Sequence, residues 1–522
     1  MDLTVINPIK FNVVPNPNSI FTCTFKLKGT TEKIKVDVGL YIYHRTIPSS
    51  TDILSVIENV YTDTIDKVYT VELTVPNFDP QKRANSHLSI FLHPPLSFNT
   101  KIQIEDINFE KPDFDAVLNV PNPNITINNT FQTNGKMNIV CEGLMLGHSG
   151  FAKAMRNVTY NLDKLGCNVK SLILDQDSIK SAQTLIGKRV IQLSADTSVI
   201  TSKNNKFWIT MNYPLGVTKH AGFYSIAYIM FETVDFPQEF VNHIKSKGLD
   251  EIWTPSSFCR DSMIKAGLTN IPIIVMPLGV DTEMFNPIKA DEPRYIPGNL
   301  SNMSGKFKFL SVMGYSERKG VNILIRAFVE EFGLGNNGND KNKVALYFKG
   351  GWYDTNKAHA EINNMIKDIP LPNRPLIHID FNIYPDDILA SLYKACNVFV
   401  LPSRGEGWSL PCCEAMSMGL PTISTRWSGN LDFMDDNNSY LINIDGHAVE
   451  PRCNWITSHY INQKFAIPSK DHLKQLMRYV YEHKQEASQK GEKARKFMVE
   501  NYDWKVSCQR MESRIEEIIK TL

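Results

Sequence analysis

Between Lys136 and Arg426 short apolar runs alternate with amphipathic stretches, and the series occurs twice. "MNIVCEG" reads as a buried strand, "FAKAMRNVTYNLDKLG" as an amphipathic helix closing on Gly166, and "NVKSLIL" as the next strand. "SIAYIMFE", "EIWTPS" and "IPIIVMPLG" continue it, each breaking at a polar or glycine turn. After the linker "NPIKADEPRYIPGNLSNMSG", a second copy opens at "KFKFLSVMG". It runs through "ALYFKGG", "PLIHIDF", "VFVLPS" and "PTISTR". This alternation demands parallel sheets wound by helices, because a parallel connection needs a crossover long enough to hold one. Two such domains facing one another create a cleft at the carboxyl ends of their strands, where ligands bind in open α/β sheets. The C-terminal "DWKVSCQRMESRIEEIIKTL" places Trp504, Met511, Ile515, Ile518 and Leu522 on one helical stripe, expected to pack back on these domains.

From Met1 to about Asn134 the period changes from helical to two. "FTCTFKLKG", "KIKVDVGLYIYHR", "KVYTVELTVP", "HLSIFLH" and "KIQIEDINFE" alternate apolar and polar residues between Asn, Pro, Asp and Gly turns. Only "TDILSVIENVY" hints at a helix. An antiparallel β-sandwich is expected, joined to the rest by "VPNPNITINNTFQTNG", a polar Asn/Pro-rich linker. The expected domains are therefore 1–134, all-β and a carbohydrate-binding or interaction module; 135–300; 301–500; and a terminal helix over 501–522.

With 56 basic against 55 acidic residues, the net charge of +1 offers no global field for nucleic acid or an anionic membrane. No nucleic-acid partner is expected, and any basic site must be local. No apolar run approaches the ~18–20 residues that span a bilayer, although peripheral membrane contact stays compatible with the chain. "MDLTVINPIKF" lacks the pattern of a secretory signal. Nine cysteines at irregular spacing read as reduced thiols, so a cytoplasmic location is expected.

The chemistry concentrates in "VFVLPSRGEGWSLPCCEAMSMG". A strand ends near Pro402 and a helix is expected from Pro411, leaving the amides of Gly407, Trp408, Ser409 and Leu410 at a helix N-terminus suited to a phosphate. Glu406 stands in the loop and Glu414 just inside the helix. Taken alone, Glu414 could complement the helix dipole and Glu406 could be a solvated loop carboxylate. A glycosidase-like facing pair is not required by the spacing. Two hydroxyl clamps on one extended ligand suit it better. "VMGYSERKGVNILIRAF" supplies positive charge: Gly314 closes a strand, and Arg318 and Lys319 open the next helix, where they could neutralise a diphosphate. In the first domain, "EGLMLGHSGFAKAMR" offers Gly147, His148, Ser149 and Gly150, and "IMFETVDFPQEF" leaves Glu232 and Thr233 at a strand end. "DQD" at 175–177 has the look of a metal-binding triplet but lies away from the diphosphate region.

Glu406 and Glu414 form E-x7-E, and "LPSRGEGWSLPCCEAMSMGLPTIST" resembles the signature of family-4 retaining glycosyltransferases of the GT-B fold. "DEIWTPSSFCRDSMIKAG", "VMPLGVDTEMFNP" and "RKGVNILIRAF" support the likeness, which runs from about Asn138 to Arg426. The resemblance implies two facing doubly wound Rossmann-like domains, preceded here by the all-β domain. It implies a nucleotide diphosphate-sugar donor in the C-terminal domain and a sugar, glycan or glycosylated acceptor beside the N-terminal one, with no metal and no other cofactor. By motif position Glu414 holds the ribose, Glu406 the transferred sugar, and Lys319 with Arg318 the diphosphate. Gly314 and the Gly407–Leu410 amides also fall on the donor, and residues 147–150, Glu232 and Thr233 on the acceptor. Two departures stand out: Tyr315 where the family often has Arg, and Asn397 in place of a common Asp. A phosphorylase or nucleotide-sugar epimerase could use the same fold, and a non-catalytic glycan-binding protein is the alternative of another class.

Overall fold

The computed structural model describes the strands within residues 9–110 by backbone. With nearly all side chains, it describes residues 137–175, 184–202, 205–289, 300–351, 354–449, 460 and 462–522. The chain divides into two compact units, Met1–Asn134 and Gly135–Leu522.

The described strands of the first unit are β1 (Ile9–Asn12), β2 (Ile20–Lys28), β3 (Lys35–Ile42), β4 (Ile53–Val56), β5 (Val60–Tyr61), β6 (Val68–Thr74), β7 (Ser86–His93) and β8 (Gln103–Glu110). They pair antiparallel in two sheets, β1-β7-β3-β4 with β5 also on β3, and β6-β2-β8. Each of the five alternating stretches supplies a strand. "TDILSVIENVY" forms β4 and β5 rather than a helix, since its Ile and Val residues suit extended backbone and β3 offers a pairing edge. The sandwich packing expected for these sheets depends on side chains outside the described residues.

The second unit holds two parallel sheets. The first contains β9 (Asn138–Gly143), β10 (Asn168–Ile173), β11 (Lys206–Met211), β12 (Tyr224–Tyr228), β13 (Glu251–Thr254) and β14 (Ile273–Val275), in the order β10-β9-β11-β12-β13-β14. The other contains β15 (Phe307–Val312), β16 (Val344–Lys349), β17 (Leu376–Asp380), β18 (Val398–Leu401), β19 (Thr422–Thr425) and β20 (Tyr440–Ile442), in the order β17-β16-β15-β18-β19-β20. In each sheet the strand order reverses at its first strand. The crevices lie where such reversals open, beyond the carboxyl ends of β9 and β15. β11 is central, yet its sequence does not announce a strand. Only the short run Phe207-Trp208-Ile209 marks it, flanked by Lys206 and Thr210, and it is absent from the strands expected from sequence.

Five helices position the site or brace the domains around it: α1 (Gly150–Lys164), α2 (Val321–Val329), α3 (Asp386–Lys394), α4 (Leu410–Ser417) and α5 (Trp504–Thr521). α5 returns to the first of the two sheet domains, where Arg514 forks onto the fully buried Glu251 at 3.1 and 2.7 Å. Trp504, Met511, Ile515 and Ile518 are buried along it, whereas Leu522 is 80% exposed.

A hairpin of β21 (Ile444–Val449) and β22 (Lys464–Pro468) leaves the second sheet domain and crosses to the first. The Lys464 carbonyl accepts from the Val234 amide at 3.0 Å. Tyr460 stacks on Phe231 with centroids 5.2 Å apart, and Phe465 joins the same cluster with Phe236 and Phe240.

Candidate active site

The loop after β18 is held by close backbone approaches that only glycine permits. A Cβ on Gly405 would lie 2.1 Å from the Glu232 carbonyl oxygen, so here the loop touches the other sheet domain. The Glu406 amide donates to Ser428 Oγ at 3.0 Å, and the Gly407 carbonyl accepts from Ser256 Oγ at 2.8 Å. Ser409 immediately precedes α4 and makes no side-chain cap; its φ of +108° is a conformation that costs a side-chain-bearing residue about 1–3 kcal/mol and persists only where the surroundings impose it. α4 begins at Leu410, so Pro411 is its second residue rather than its first.

Arg318 and Lys319 occupy a short 3-10 turn, Glu317–Lys319, ahead of α2 rather than inside it. Gly320, with φ +75°, lets this turn close on the β18 loop; a Cβ there would lie 2.0 Å from the Pro402 carbonyl. Lys319 Nζ donates to both Glu406 oxygens, at 2.6 and 2.8 Å. Arg318 Nη1 donates to the Gly405 carbonyl at 2.7 Å and stands 3.9 Å from Glu406, while its Nε lies 3.1 Å from Glu232 Oε1. Two cations and two carboxylates thus meet across the domain boundary. Burial alone would raise the Glu406 carboxyl, but the charges of Lys319 and Arg318 outweigh it and hold the group below its ordinary value. Burial lowers Lys319, with Arg318 adding to that and Glu406 opposing it.

Glu414 heads a second buried cluster. It lies in the second turn of α4, beyond the reach of the helix-dipole alternative, and carries real partners instead. Lys153 Nζ donates to Glu414 Oε1 at 2.6 Å and to Asp386 Oδ1 at 2.8 Å, and the Tyr393 hydroxyl donates to Glu414 Oε2 at 3.0 Å. The two ends of the ion pair respond differently. Burial pushes Glu414 up despite Lys153, whereas Lys153 is raised because two carboxylates overcome its burial. One cation serving two anions accounts for that asymmetry. Lys153, Asp386 and Tyr393 were not singled out from sequence. The available signal was a lysine in the first turn of α1, where a helix dipole disfavours a cation.

The other expected residues divide between open and occupied positions. Gly314, past the end of β15, has nothing within 4 Å of where a Cβ would stand, as does Gly150 at the start of α1. Ser149 caps α1, accepting from the Ala152 amide at 3.1 Å. His148 and Gly147 are half-buried in the same loop. Asp175 accepts from the amides of Met145, Leu146 and Gly147, so the first residue of "DQD" anchors the glycine loop; Gln176 and Asp177 lie outside the described residues. Among the described residues no group of three or more His, Cys, Asp or Glu could hold a metal ion. Glu232, expected beside the acceptor, pairs with Arg318. Thr233 is fully buried and donates to the Asp235 carbonyl at 2.6 Å. The Trp408 ring packs in the core, 2% exposed and 4.7 and 5.4 Å from the rings of Phe433 and Tyr502, so only its backbone amide is left for a ligand.

Residues 306–452 match the family model described as "Glycosyl transferases group 1". That segment carries Gly314, Arg318, Lys319, Glu406, the Gly407–Leu410 amides and Glu414; Lys153 and Glu232 come from outside it. A D-inositol 3-phosphate glycosyltransferase of Corynebacterium kroppenstedtii is 30% identical over 88 residues, 17% of this chain and 19% of that protein. One of Corynebacterium jeikeium is 24% identical over 180 residues, 34% of this chain and 41% of that protein. The matches to these curated relatives therefore span well under half of their length.

Among solved structures, HepE of Anabaena, in complex with UDP and glucose, covers 73% of this chain and 100% of its own, at 14% identity and a TM-score of 0.51. A Rickettsia africae glycosyltransferase and the Thermosynechococcus elongatus sucrose-phosphate synthase each cover 74% of this chain and all of their own, at 14% identity and a TM-score of 0.52. What is shared at this identity is the fold: two Rossmann-like parallel-sheet domains in the GT-B arrangement.

Proposed function

We propose that the protein is a retaining glycosyltransferase moving a sugar from a nucleotide diphosphate-sugar to a sugar or glycan acceptor. The observation that carries this reading is the buried meeting of Glu406 with Lys319 and Arg318 beside the N-terminus of α4, within the matched segment. A buried ion pair is weak evidence for stability, since desolvation offsets most of its attraction, so ligand binding is the better account of these charges. Lys319, Arg318 and the Gly407–Leu410 amides would receive the diphosphate, Glu406 the transferred sugar's hydroxyls and Glu414 the ribose diol. The donor's diphosphate would compete with Glu406 and Glu232 for the two cations.

As the bond from the anomeric carbon to the diphosphate oxygen breaks, positive charge grows on the sugar and negative charge on the leaving oxygen. The two basic groups would stabilise the latter. The acceptor oxygen attacks from the same face, its proton passing to the leaving phosphate oxygen, so the configuration is kept. Two fixed cations offer the neutralisation a metal ion gives elsewhere, and the reading needs no metal. The seven described cysteines are unpaired and buried, which suits the cytoplasm, the compartment we assign. No described helix is long and apolar enough to cross a membrane. The strand-rich first unit is assigned as a carbohydrate-binding or interaction module.

A panel of nucleotide sugars tests the reading, with uridine diphosphate sugars first because HepE was solved with UDP. One member should raise the melting temperature and be slowly hydrolysed, releasing sugar of retained configuration by NMR, with EDTA without effect. A panel in which none stabilises the protein or turns over overturns it.

A further inference from the structure

We propose that Lys153, on the first sheet domain, is a positioning residue for the nucleotide, keeping the Glu414 carboxylate in its ionised, hydrogen-bond-accepting form. The inference rests on the reading of Glu414 as the ribose clamp, and it makes donor binding depend on both domains.

Three observations converge on Lys153. It stands in the first turn of α1, where the helix dipole opposes its charge, and its side chain is only 16% exposed. Such a location is unfavourable for an ammonium without compensating partners. Its partners are unequal: Asp386 is 40% exposed and can stay hydrated, whereas the Glu414 side chain is 5% exposed and cannot. Glu414 is therefore the member of the triad that needs Lys153 in order to remain charged.

The groups around Glu414 leave no substitute. From α1 come Lys153 and Arg156, but Arg156 is committed to the carbonyls of Met145 and Gly147. From α3 come Asp386, a like charge, and Tyr393, a neutral donor. From α4 itself come the buried thiols of Cys412 and Cys413, both pushed up by burial and neutral. The helix Lys484–Asn501, packed on α4, brings Arg495, which donates to the Ser417 and Phe285 carbonyls. Phe285 presents an aromatic ring, its centroid 4.7 Å from Lys153 Nζ. Among the described residues Lys153 is the cation bonded to Glu414. Without it, burial and Asp386 both act to protonate Glu414, and a neutral carboxyl accepts ribose hydroxyls more weakly than a carboxylate.

The test is calorimetric titration of the full chain with UDP, with GDP and ADP in parallel, at pH 7.0 to 8.5. Wild type should bind one of them with affinity changing less than about threefold over this range. Lys153→Met should bind more weakly than wild type at pH 7.0, and the gap should narrow as pH rises, because each rise of 1 in pH restores up to about tenfold of a protonated carboxyl's ionised form. Lys153→Arg should stay within about threefold of wild type. If Lys153→Met fails to fold, Lys153→Gln with Asp386→Asn, which removes one charge of each sign, is read the same way. A Lys153→Met protein with wild-type affinity, or one weakened equally at every pH, overturns the inference and leaves the donor reading intact. A wild type that binds none of the three nucleotides, nor CDP or dTDP, overturns the donor reading itself.

Discussion

At the scale of single residues, the two glutamates of E-x7-E have separate surroundings and should fail separately. Glu414 is bonded to Lys153 and Tyr393, and Glu406 to Lys319. Glu414→Gln should weaken binding of the free nucleoside diphosphate. Glu406→Gln should leave that binding nearly intact but slow transfer about a hundredfold, about 3 kcal/mol at the transition state. Titration beside steady-state kinetics separates the two, and the opposite pattern would reverse the roles. Glu406 also makes an acid prediction. Its folded value lies below the ordinary 4.5, so its contribution to stability is full above about pH 4.5 and lost as pH falls through that lowered value. Melting temperatures measured down to pH 3 should therefore fall less steeply for Glu406→Gln than for wild type.

At the scale of elements, the β21–β22 hairpin ties the two sheet domains together on one side of the cleft. Tyr460 is 5% exposed, lies in the aromatic cluster of the first sheet domain and bonds through its hydroxyl to Glu232, the carboxylate beside Arg318. Tyr460→Ala should cost about 3–5 kcal/mol, as aromatic truncations in a packed core do. Tyr460→Phe keeps the ring and should cost about 1 kcal/mol for the lost hydrogen bond. Chemical denaturation of both variants checks the pair; equal losses would mean that the ring's packing is not what holds the hairpin.

At the scale of the whole molecule, Gly135–Leu522 has its own core and its own compact contacts, including the return of α5 to the first sheet domain. Residues 135–522 should fold alone and retain donor hydrolysis, while transfer to a large glycan weakens if the first unit holds the acceptor. Circular dichroism and hydrolysis assays on the truncated protein decide this; insolubility or complete loss of donor turnover would tie the units together. Legible in the amino-acid sequence were the features set by neighbours within a turn or two. The period-two stretches became β2, β3, β6, β7 and β8, and the apolar runs became parallel strands. The glycine–glutamate loop stood at a strand end because "VFVLPS" is so plainly a buried strand. Short or mixed elements were misread or missed: "TDILSVIENVY" took its extended form from pairing with β3, β11 offers only the three-residue apolar run Phe207-Trp208-Ile209, and in β21 Gly446, His447 and Ala448 blur a hydropathy pattern whose burial alternates strictly. Which charges meet was settled by tertiary structure. Lys319 and Glu406 are 87 residues apart in sequence, and Lys153 and Glu414 are 261 apart. Such pairings follow from strand order and domain docking, and no local periodicity encodes them.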